Sequence, residues 1–290
     1  MRNYTLFGKP YIKNRIVPSM PYMGGKRKLA IKLLNAIYDT VGDFDNLYDL
    51  FGGGGAISVA GLLAGHNVFY NEYNKGIYNL MKYIKEGRKL PNKWISREEF
   101  NKHKNEDDWY SGFIKCCWSF GNNQADYIFG KDVENIKHKA HDYLLSNGYD
   151  GTAKKRVGLI NQFKKDKTDR FELQQLQQLQ QLQQLERLQQ LERLERLELS
   201  NKSYEEVEIK ENSVIYCDPP YKGTTQYQNS IDYDKFYKWC LDNKNPVFIS
   251  GYDMPNEFTE IAHFEHECTL SLTANNKVIE KLYWNNIKLM

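Results

Sequence analysis

The sequence of 290 residues contains no long hydrophobic run. No stretch approaches the roughly 18 consecutive apolar residues that identify a membrane-spanning helix. The segment "MRNYTLFGKPYIKNR" at the start of the chain also lacks the apolar core of a secretory signal peptide. We therefore expect no membrane association and a protein that stays in the cytoplasm.

Cysteine is scarce, and its spacing does not fit a metal site. The five cysteines are odd in number and none of them forms a C-x-x-C pair, which favours reduced thiols over a disulfide framework. The pairs His138/His141 and His263/His266, with Cys268 nearby, do not complete a four-ligand set. We predict no bound metal and interpret these histidines as polar surface residues.

Two phosphate-binding motifs are incomplete. The glycines at residues 52–55 lack the third glycine of G-x-G-x-x-G, because Ile57 and Ser58 occupy its two alternative positions. In "MGGKRK", residues 23–28, Lys26 is followed by arginine instead of the serine or threonine of a Walker loop. The first glycine of such a loop would fall at position 20, which is methionine. An adenosine cofactor without phosphates is favoured, and S-adenosylmethionine suits the chain because Asp49 and Asp218 can stabilise its sulfonium charge.

Basic residues are unevenly distributed, although the net charge is only +3. Residues 1–38 contain eight Lys or Arg and no acid, and residues 137–170 contain nine basic and four acidic residues. Such regions can neutralise phosphates. A solvated basic face has the same composition, so charge alone leaves nucleic-acid binding open.

The two ends of the chain have the pattern of an α/β sheet. "LYDLF" at residues 47–51 is followed by "GGGG" and the helical pattern "AISVAGLLAG", which predicts a strand, a glycine turn and a helix. "HNVFYNEYN", "SVIYC" and "PVFIS" predict further strands, with a helix from about Tyr233 to Asp242. "FEHECTLSL" and "VIEKLYWN" predict a terminal pair of strands around "TANN". The predicted fold is a doubly wound, Rossmann-like α/β sheet with helices on both faces.

The middle of the chain departs from this pattern. Between about Lys75 and Glu205 it is polar, aromatic and helical where it has any period. We assign residues 1–75 and 206–290 to a discontinuous cofactor-binding domain and residues 76–205 to an inserted, mostly helical region.

Within the insertion, leucine recurs at every third position from Leu173 to Leu197. Three residues of an α-helix turn through about 300°, so the leucines wind around the helix instead of forming one face. The spacing is not a heptad, and a strand-rich solenoid is an open alternative. We predict a protruding helix at residues 173–197 that acts as a spacer.

"VIYCDPPY" ends a predicted strand with an acid, two prolines and a tyrosine. Each proline lacks an N–H and disfavours a helical conformation in the residue before it. Asp218 and Pro219 should therefore be extended at the mouth of the sheet. Parallel strands share a carboxyl edge, so Asp218, the glycine turn and Glu72 should converge there. Glu72 follows Gly55 by 17 residues, close to where an acid binds ribose in such folds.

Five motifs occur in a fixed order: "PYMGGKRKL", "LYDLFGGGGAIS", "FYNEYN", "WSFGNNQ" and "VIYCDPPY". Together they resemble the Dam-like class of DNA adenine methyltransferases, including bacteriophage members, over residues 18–80, 113–130 and 203–228. The resemblance implies a Rossmann-like methyltransferase sheet, S-adenosylmethionine as cofactor and double-stranded DNA as substrate in a bacterial or phage-infected cell. It places target recognition in the insertion. A cognate restriction endonuclease is a further candidate partner, and we expect a monomer or weak dimer.

The resemblance also implies roles for individual residues. Tyr22 and Lys26 match an aromatic residue and a lysine that help to hold the cofactor, Glu72 matches the acid on the ribose, and Tyr73 matches the residue flanking the adenine ring. The predicted cofactor residues of the glycine turn are Asp49, Phe51, Gly52 and Gly54. The predicted catalytic residues are Asp218, which also lies beside the cofactor, with Pro219, Pro220 and Tyr221. The predicted DNA-binding residues are Lys26, Arg27, Ser119, Asn122 and Asn123.

The expected chemistry is activation of an adenine amino group, whose lone pair is delocalised into the ring. If the Asp218 carboxylate and the Pro219 carbonyl each accept one N–H, the nitrogen is drawn toward tetrahedral geometry. The base must first leave the helix, at a cost of about a few kcal/mol. Stacking on Tyr221 can return about 1–3 kcal/mol.

Other interpretations stay open at this stage. The same strand end could methylate a cytosine amine, RNA or a protein amide, although relatives with those substrates commonly carry serine or asparagine in place of the acid. A DNA-binding module without turnover is a further alternative. Tyr22 and Tyr73 could be core aromatics, Glu72 a helix cap, and Asn122 with Asn123 a turn.

Overall fold

The computed structural model describes residues 3–4, 10–149, 153–166, 177–220, 231–267 and 277–289. Three sequence predictions lie outside these residues: the role of Tyr221, the turn at "TANN", and the first leucines of the triplet repeat. No helix among the described residues is long and apolar enough to span a membrane.

The elements are named in chain order. The strands are β1 (Asn3–Tyr4), β2 (Pro10–Tyr11), β3 (Asn46–Asp49), β4 (Asn67–Asn71), β5 (Leu197–Ser200), β6 (Ser213–Cys217), β7 (Val247–Gly251), β8 (Thr259–Glu267) and β9 (Lys277–Trp284). The helices are α1 (Ala30–Val41), α2 (Ala56–Ala64), α3 (Lys75–Lys85), α4 (Arg97–His103), α5 (Trp109–Trp118), α6 (Lys131–Ser146), α7 (Ala153–Asp166), α8 (Gln177–Gln189) and α9 (Tyr233–Asp242).

The strands from β3 onwards form one sheet in the order β5-β4-β3-β6-β7-β9-β8. The first five strands of this order are parallel, whereas β9 is antiparallel to both of its neighbours. The predicted α/β sheet and its terminal pair of strands are therefore confirmed, and α9 has the bounds expected from the sequence.

Alternating side chains of the central strands pack on opposite faces, as the period of a strand requires. Val214 and Tyr216 of β6 pack in the core cluster formed by α1 and α2. Ile215 and Cys217 pack in a second cluster with Phe236 of α9. Helices thus cover both faces of the sheet, as predicted.

Two helices of the insertion cross closely. A Cβ atom on Gly112 of α5 would lie 2.2 Å from the carbonyl oxygen of Gly76 in α3. Only glycine permits this approach, which packs α5 against α3, the helix that follows β4.

Over the described residues 177–197 the leucine triplets do not form a protruding helix, so that part of the prediction was wrong. α8 is buried on two sides: Leu179 packs with α6 and α7, while Leu182, Leu185 and Leu188 belong to the main core. The winding stripe of leucines suits a helix that lies between two layers. Residues 192–196 then form a 3₁₀ turn, and Leu197 begins β5 at the edge of the sheet. The sheet therefore resumes inside the range 76–205.

Candidate active site

Three acids lie at the carboxyl edge of the sheet. Asp49 is the last residue of β3, Glu72 follows β4, and Asp218 follows β6. Because β4 and β6 both pair in parallel with β3, the three strands end side by side. The structure brings these acids together with the glycine turn between β3 and α2.

Asp218 forms an ion pair with Lys26 from the segment before α1. Nζ of Lys26 lies 2.9 Å from Oδ1 and 2.7 Å from Oδ2 of Asp218, and it also donates to the carbonyl oxygen of Gly24 at 3.1 Å. Lys26 is 7% exposed, whereas the Asp218 side chain is 21% exposed. The carboxylate therefore faces the buried lysine on one side and is open to a ligand on another.

The two prolines fix the carbonyl groups that follow Asp218. The carbonyl oxygen of Pro220 accepts a hydrogen bond from the hydroxyl of Tyr233, at the start of α9. Pro219 is buried, and no donor among the described residues reaches its carbonyl oxygen. Asp218 and Pro219, adjacent in the chain directly after β6, thus provide a carboxylate and a carbonyl as hydrogen-bond acceptors.

The N–H groups of the glycine turn are only partly used by the protein. Gly52 donates to the carbonyl oxygen of Asn71 at 2.8 Å, and Gly53 donates to Oε2 of Glu72 at 2.7 Å. Among the described residues, Phe51 and Gly54 have no acceptor for their N–H groups. These two amides can donate to the carboxylate of an amino-acid cofactor.

The glycines are needed because the protein itself packs against the turn. A Cβ atom at Gly52 would lie 2.2 Å from the ring of Tyr70, and one at Gly53 would lie 3.0 Å from the ring of Tyr22. Gly53 also has φ +46°, in the left-handed region that favours glycine. The rings of Tyr22 and Tyr70 occupy the space beside these two glycines.

Glu72 is held by two backbone donors. Its Oε2 accepts from Gly53, and its Oε1 accepts from the N–H of Asn74 at 2.7 Å. Burial raises the pKa of Glu72, and these two hydrogen bonds oppose the rise. The helix cap of α3 is Asn74, whose Oδ1 accepts from Ile77. Glu72 therefore links the glycine turn to α3, with its carboxylate in one orientation.

Asp49 is turned toward the start of α2. Its Oδ2 accepts from the N–H of Ser58 at 3.1 Å and from the Ser58 hydroxyl at 2.7 Å. Burial raises the pKa of Asp49 to about 7; Ser58 opposes the shift, and the charges of Asp218 and Glu72 add to it.

The edge carries an excess of negative charge. Burial raises the pKa of Asp218 to about 6, Lys26 opposes this shift, and Glu280 of β9 adds to it. Burial by itself lowers the pKa of Lys26, but the charges of Asp218 and Glu280 outweigh that effect and raise it. Asp218 and Glu280 both contact or approach the Lys26 ammonium group, and two further buried acids, Asp49 and Glu72, lie at the same edge. A cationic sulfonium ligand fits this balance.

Three other predicted residues differ in exposure. Tyr22 is partly buried against Gly53, and Tyr73 is 61% exposed. Arg27 is partly buried, and its Nε has no hydrogen-bond partner in the part of the chain that the structure describes. Burial and the charge of Arg187 lower the pKa of Arg27.

Three of the predicted DNA-binding residues, Ser119, Asn122 and Asn123, lie in a tight turn after α5. Ser119 is buried and accepts from the N–H of Gln124. Asn122, at φ +59°, accepts from Gln181 of α8 at 2.5 Å. Asn123 accepts from two backbone N–H groups of the turn and donates to Asp126. These asparagines support the turn, which was the alternative interpretation, and their role toward DNA stays a prediction.

Several contributing residues were missed from the sequence. These are Ser58, Asn74, Tyr233 and Glu280. An acid on the buried face of a predicted strand was the available signal for Glu280. The other three are ordinary polar residues, and their sequence carries no distinctive signal.

Features outside the carboxyl edge do not compete with it as a catalytic site. A cavity of about 620 Å³ lies between β2, α1 and β8, and it contains none of the predicted site residues. The part of the chain described here contains no group of three His, Cys, Asp or Glu that could hold a metal.

A mostly parallel sheet with a glycine turn, an acid on the next strand and an Asp-Pro-Pro strand end has the architecture of α/β folds, a class in which ligands bind at the carboxyl edge of the sheet. The chain belongs to the D12 class N6 adenine-specific DNA methyltransferases, whose family model matches residues 22–283. The family resemblance is thereby confirmed, and the enzyme acts on adenine in DNA.

The other comparisons are distant. No curated protein matches the chain. Among solved structures, a candidate methylase from Haemophilus influenzae, HI0767, is similar over 92% of this chain and 98% of its own, with 10% identity and a TM-score of 0.32. This likeness is too weak to carry an argument.

Proposed function

We propose that the protein transfers the methyl group of S-adenosylmethionine to the exocyclic amino group of an adenine turned out of duplex DNA at a specific sequence. One observation carries this proposal. Asp218 and Pro219 follow one another directly after β6, on the edge that also holds the glycine turn and Glu72.

Asp218 and Pro219 would activate the adenine amino group. Two adjacent acceptors can each take one N–H, which draws the nitrogen toward tetrahedral geometry and frees its lone pair. Tyr233 supports this arrangement, because its hydroxyl holds the next carbonyl group, that of Pro220.

The glycine turn and its surroundings would hold the cofactor. The N–H groups of Phe51 and Gly54 are suited to the amino-acid carboxylate, and Glu72 is suited to the ribose hydroxyls because its orientation is fixed. S-adenosylmethionine, when bound, supplies a methyl group on a positively charged sulfur. The excess of carboxylates at this edge stabilises such a cation.

Exposed aromatic side chains surround the same edge and would support the extruded base and its neighbours. Tyr73 follows β4 and Tyr252 follows β7, and they are 61% and 46% exposed. Phe120, also 61% exposed, lies in the turn after α5. Stacking on an aromatic ring is worth about 1–3 kcal/mol per base, comparable with the cost of unstacking a base.

The test is a methylation assay with labelled S-adenosylmethionine and plasmid DNA, followed by nucleoside analysis. We expect label in methyladenosine with wild-type protein and none with Asp218→Ala. Parallel reactions with RNA and with single-stranded DNA test the duplex requirement. Label in methylcytosine, or transfer to RNA alone, would contradict the proposal, as would full activity of Asp218→Ala. Sequencing of the methylated plasmid then gives the target site.

A further inference from the structure

Lys26 lies between two carboxylates at the carboxyl edge. Its Nζ contacts both oxygens of Asp218, at 2.9 and 2.7 Å, and lies 3.6 Å from Oε1 of Glu280. Lys26 is 7% exposed and Glu280 is 2% exposed. The three residues form one buried charged cluster, and the proposed reaction gives Glu280 no role.

The direction of β9 explains how Glu280 reaches this edge. β9 is antiparallel to β7, and Lys281 lies opposite Gly251, the last residue of β7. Glu280 therefore lies just beyond the carboxyl end of β7. Strand alternation places it on the face of Leu282, which packs in the core cluster that includes α1. Lys26 lies just before that helix.

The Lys26 contacts compete with adenine binding at Asp218. Both carboxylate oxygens contact Lys26, whereas the proposed reaction needs one of them to accept an adenine N–H at short distance. Each carboxylate oxygen can accept a second hydrogen bond, but an N–H that shares an oxygen with the ammonium group weakens the existing contact, so we expect at least one contact to Lys26 to lengthen. A buried ammonium group is destabilised as its contact with an anion lengthens, and a second anion beside it offsets that loss.

We propose that Glu280 is a positioning residue that holds Lys26 while Asp218 exchanges its lysine contact for the adenine amino group. This inference rests on the proposed function. The distance of 3.6 Å between Nζ and Oε1 is longer than the roughly 2.7–3.2 Å of a hydrogen bond. A shift of Nζ by about 0.5 Å toward Glu280 would complete that bond as the contact to Asp218 lengthens.

A purely structural role for Glu280 predicts a different behaviour. If Glu280 only neutralised Lys26 to stabilise the fold, its loss would lower the thermal midpoint, and activity would fall only in proportion to unfolding. If Glu280 assists the exchange, its loss leaves Lys26 on Asp218, so the folded enzyme turns over slowly.

The experiment compares wild-type protein with Glu280→Gln, Glu280→Asp and, as a matched control on β8, the exposed Glu265→Gln. Thermal midpoint, kcat, and KM for cofactor and for plasmid DNA are measured for each. We expect Glu280→Gln to lower kcat about tenfold or more with a nearly unchanged KM for cofactor. Glu280→Asp keeps the charge, so its kcat should decrease less than that of Glu280→Gln. Glu265→Gln should have the kcat and thermal midpoint of wild type.

A second readout does not depend on turnover. Without cofactor and DNA, Asp218→Asn leaves Glu280 as the anionic partner of Lys26, and Glu280→Gln leaves Asp218. The double variant removes both, so we expect its thermal midpoint to fall by more than the sum of the two single effects.

The outcomes separate this inference from the proposed function. Wild-type kcat in Glu280→Gln, or additive midpoints in the double variant, would overturn the role of Glu280 while methylation by wild type still stands. An equal decrease of kcat in Glu280→Asp and Glu280→Gln, together with equally lowered thermal midpoints, would also overturn the positioning role of Glu280. If Glu280→Gln does not fold, Glu280→Asp decides: kcat should fall about threefold at an unchanged midpoint, and an unchanged kcat contradicts the inference. Wild-type protein without methylation activity would refute the proposed function itself.

Discussion

The carboxyl edge of the sheet and helix α8 both bury polar side chains, but they satisfy them differently. At the edge, Asp49, Glu72 and Asp218 accept hydrogen bonds from Ser58, from backbone N–H groups and from Lys26. In α8, the amide atoms of Gln178 and Oε1 of Gln181 are buried and have no hydrogen-bond partner among the described residues.

The difference has a physical origin. The polar groups of the edge come from separate strands and turns, and each meets a complementary group there. The glutamines of α8 come from a triplet that repeats leucine and glutamine regardless of what surrounds each turn. The edge follows the general rule that buried polar groups have hydrogen-bond partners, whereas the unsatisfied glutamine atoms of α8 are exceptions that follow from the repeat.

The largest expected effect comes from removing the anion of the edge. Asp218→Ala should lower kcat by about 10²–10³-fold or more, because it deletes one of two acceptors placed for the reacting amino group. Steady-state methylation of plasmid DNA measures it. Asp253→Ala, an exposed acid near the end of β7, is the control and should retain activity. An equal decrease of kcat in both variants would mean that Asp218 has no specific role in the reaction.

The second prediction concerns pH. The pKa of Asp49 is about 7 in the folded protein and about 4 in the unfolded chain, so the folded state binds the proton more tightly. Its contribution to stability is full below about pH 4 and is lost as pH rises through about 7, a decrease on the order of a few kcal/mol. Asp49→Asn should make the free energy of unfolding fall less steeply across this range, as measured by urea titration.

Ser58→Ala should shift the pH dependence of the free energy of unfolding in the opposite direction and serves as a control. The Ser58 hydroxyl lowers the pKa of Asp49, so its removal should move the loss of stability to higher pH. If the free energy of unfolding depends on pH in the same way in both variants and in wild type, Asp49 is solvated in the folded protein. The edge would then not be a place where buried acids are satisfied by hydrogen bonds, as opposed to α8.

The third prediction tests the packing of the glycine turn. Gly52→Ala would place a Cβ atom 2.2 Å from the Tyr70 ring, and such overpacking costs about 1–3 kcal/mol. Gly24→Ala is the matched control, because Gly24 has φ +73° but nothing within 4 Å of its Cβ position; its backbone strain should cost about 1 kcal/mol. Urea unfolding compares the two variants. Equal costs would mean that the turn can move away from Tyr70.

The smallest expected effect comes from removing a buried amide of α8. Gln178→Met replaces two buried amide atoms that have no partner among the described residues with an apolar group of similar length. It should raise the free energy of unfolding by about 1–2 kcal/mol. The exposed Gln190→Met should change it by no more than about 0.5 kcal/mol. A destabilised Gln178→Met would show that the buried amide has a favourable interaction, and α8 would then resemble the edge.

Sequence patterns predicted the parts of the fold whose period is regular. α9 runs over Tyr233–Asp242 as expected. The three strands that precede the glycine turn, Glu72 and Asp218, respectively, are parallel neighbours in the sheet. The leucine repeat misled the interpretation because its period of three matches neither a helix nor a strand. The same triplets lie in α8, in a 3₁₀ turn and in β5. Neighbouring layers decided among these conformations.

The sequence by itself determined the order of the motifs, the α/β class and the acid at a proline-terminated strand end, because these depend on residues close together along the chain. The tertiary structure alone decided the partners of those residues. Lys26 meets Asp218 across 192 positions, and Glu280 joins them only because β9 runs antiparallel to β7. Such pairings depend on how distant segments close around the sheet, and local periodicity does not encode that closure.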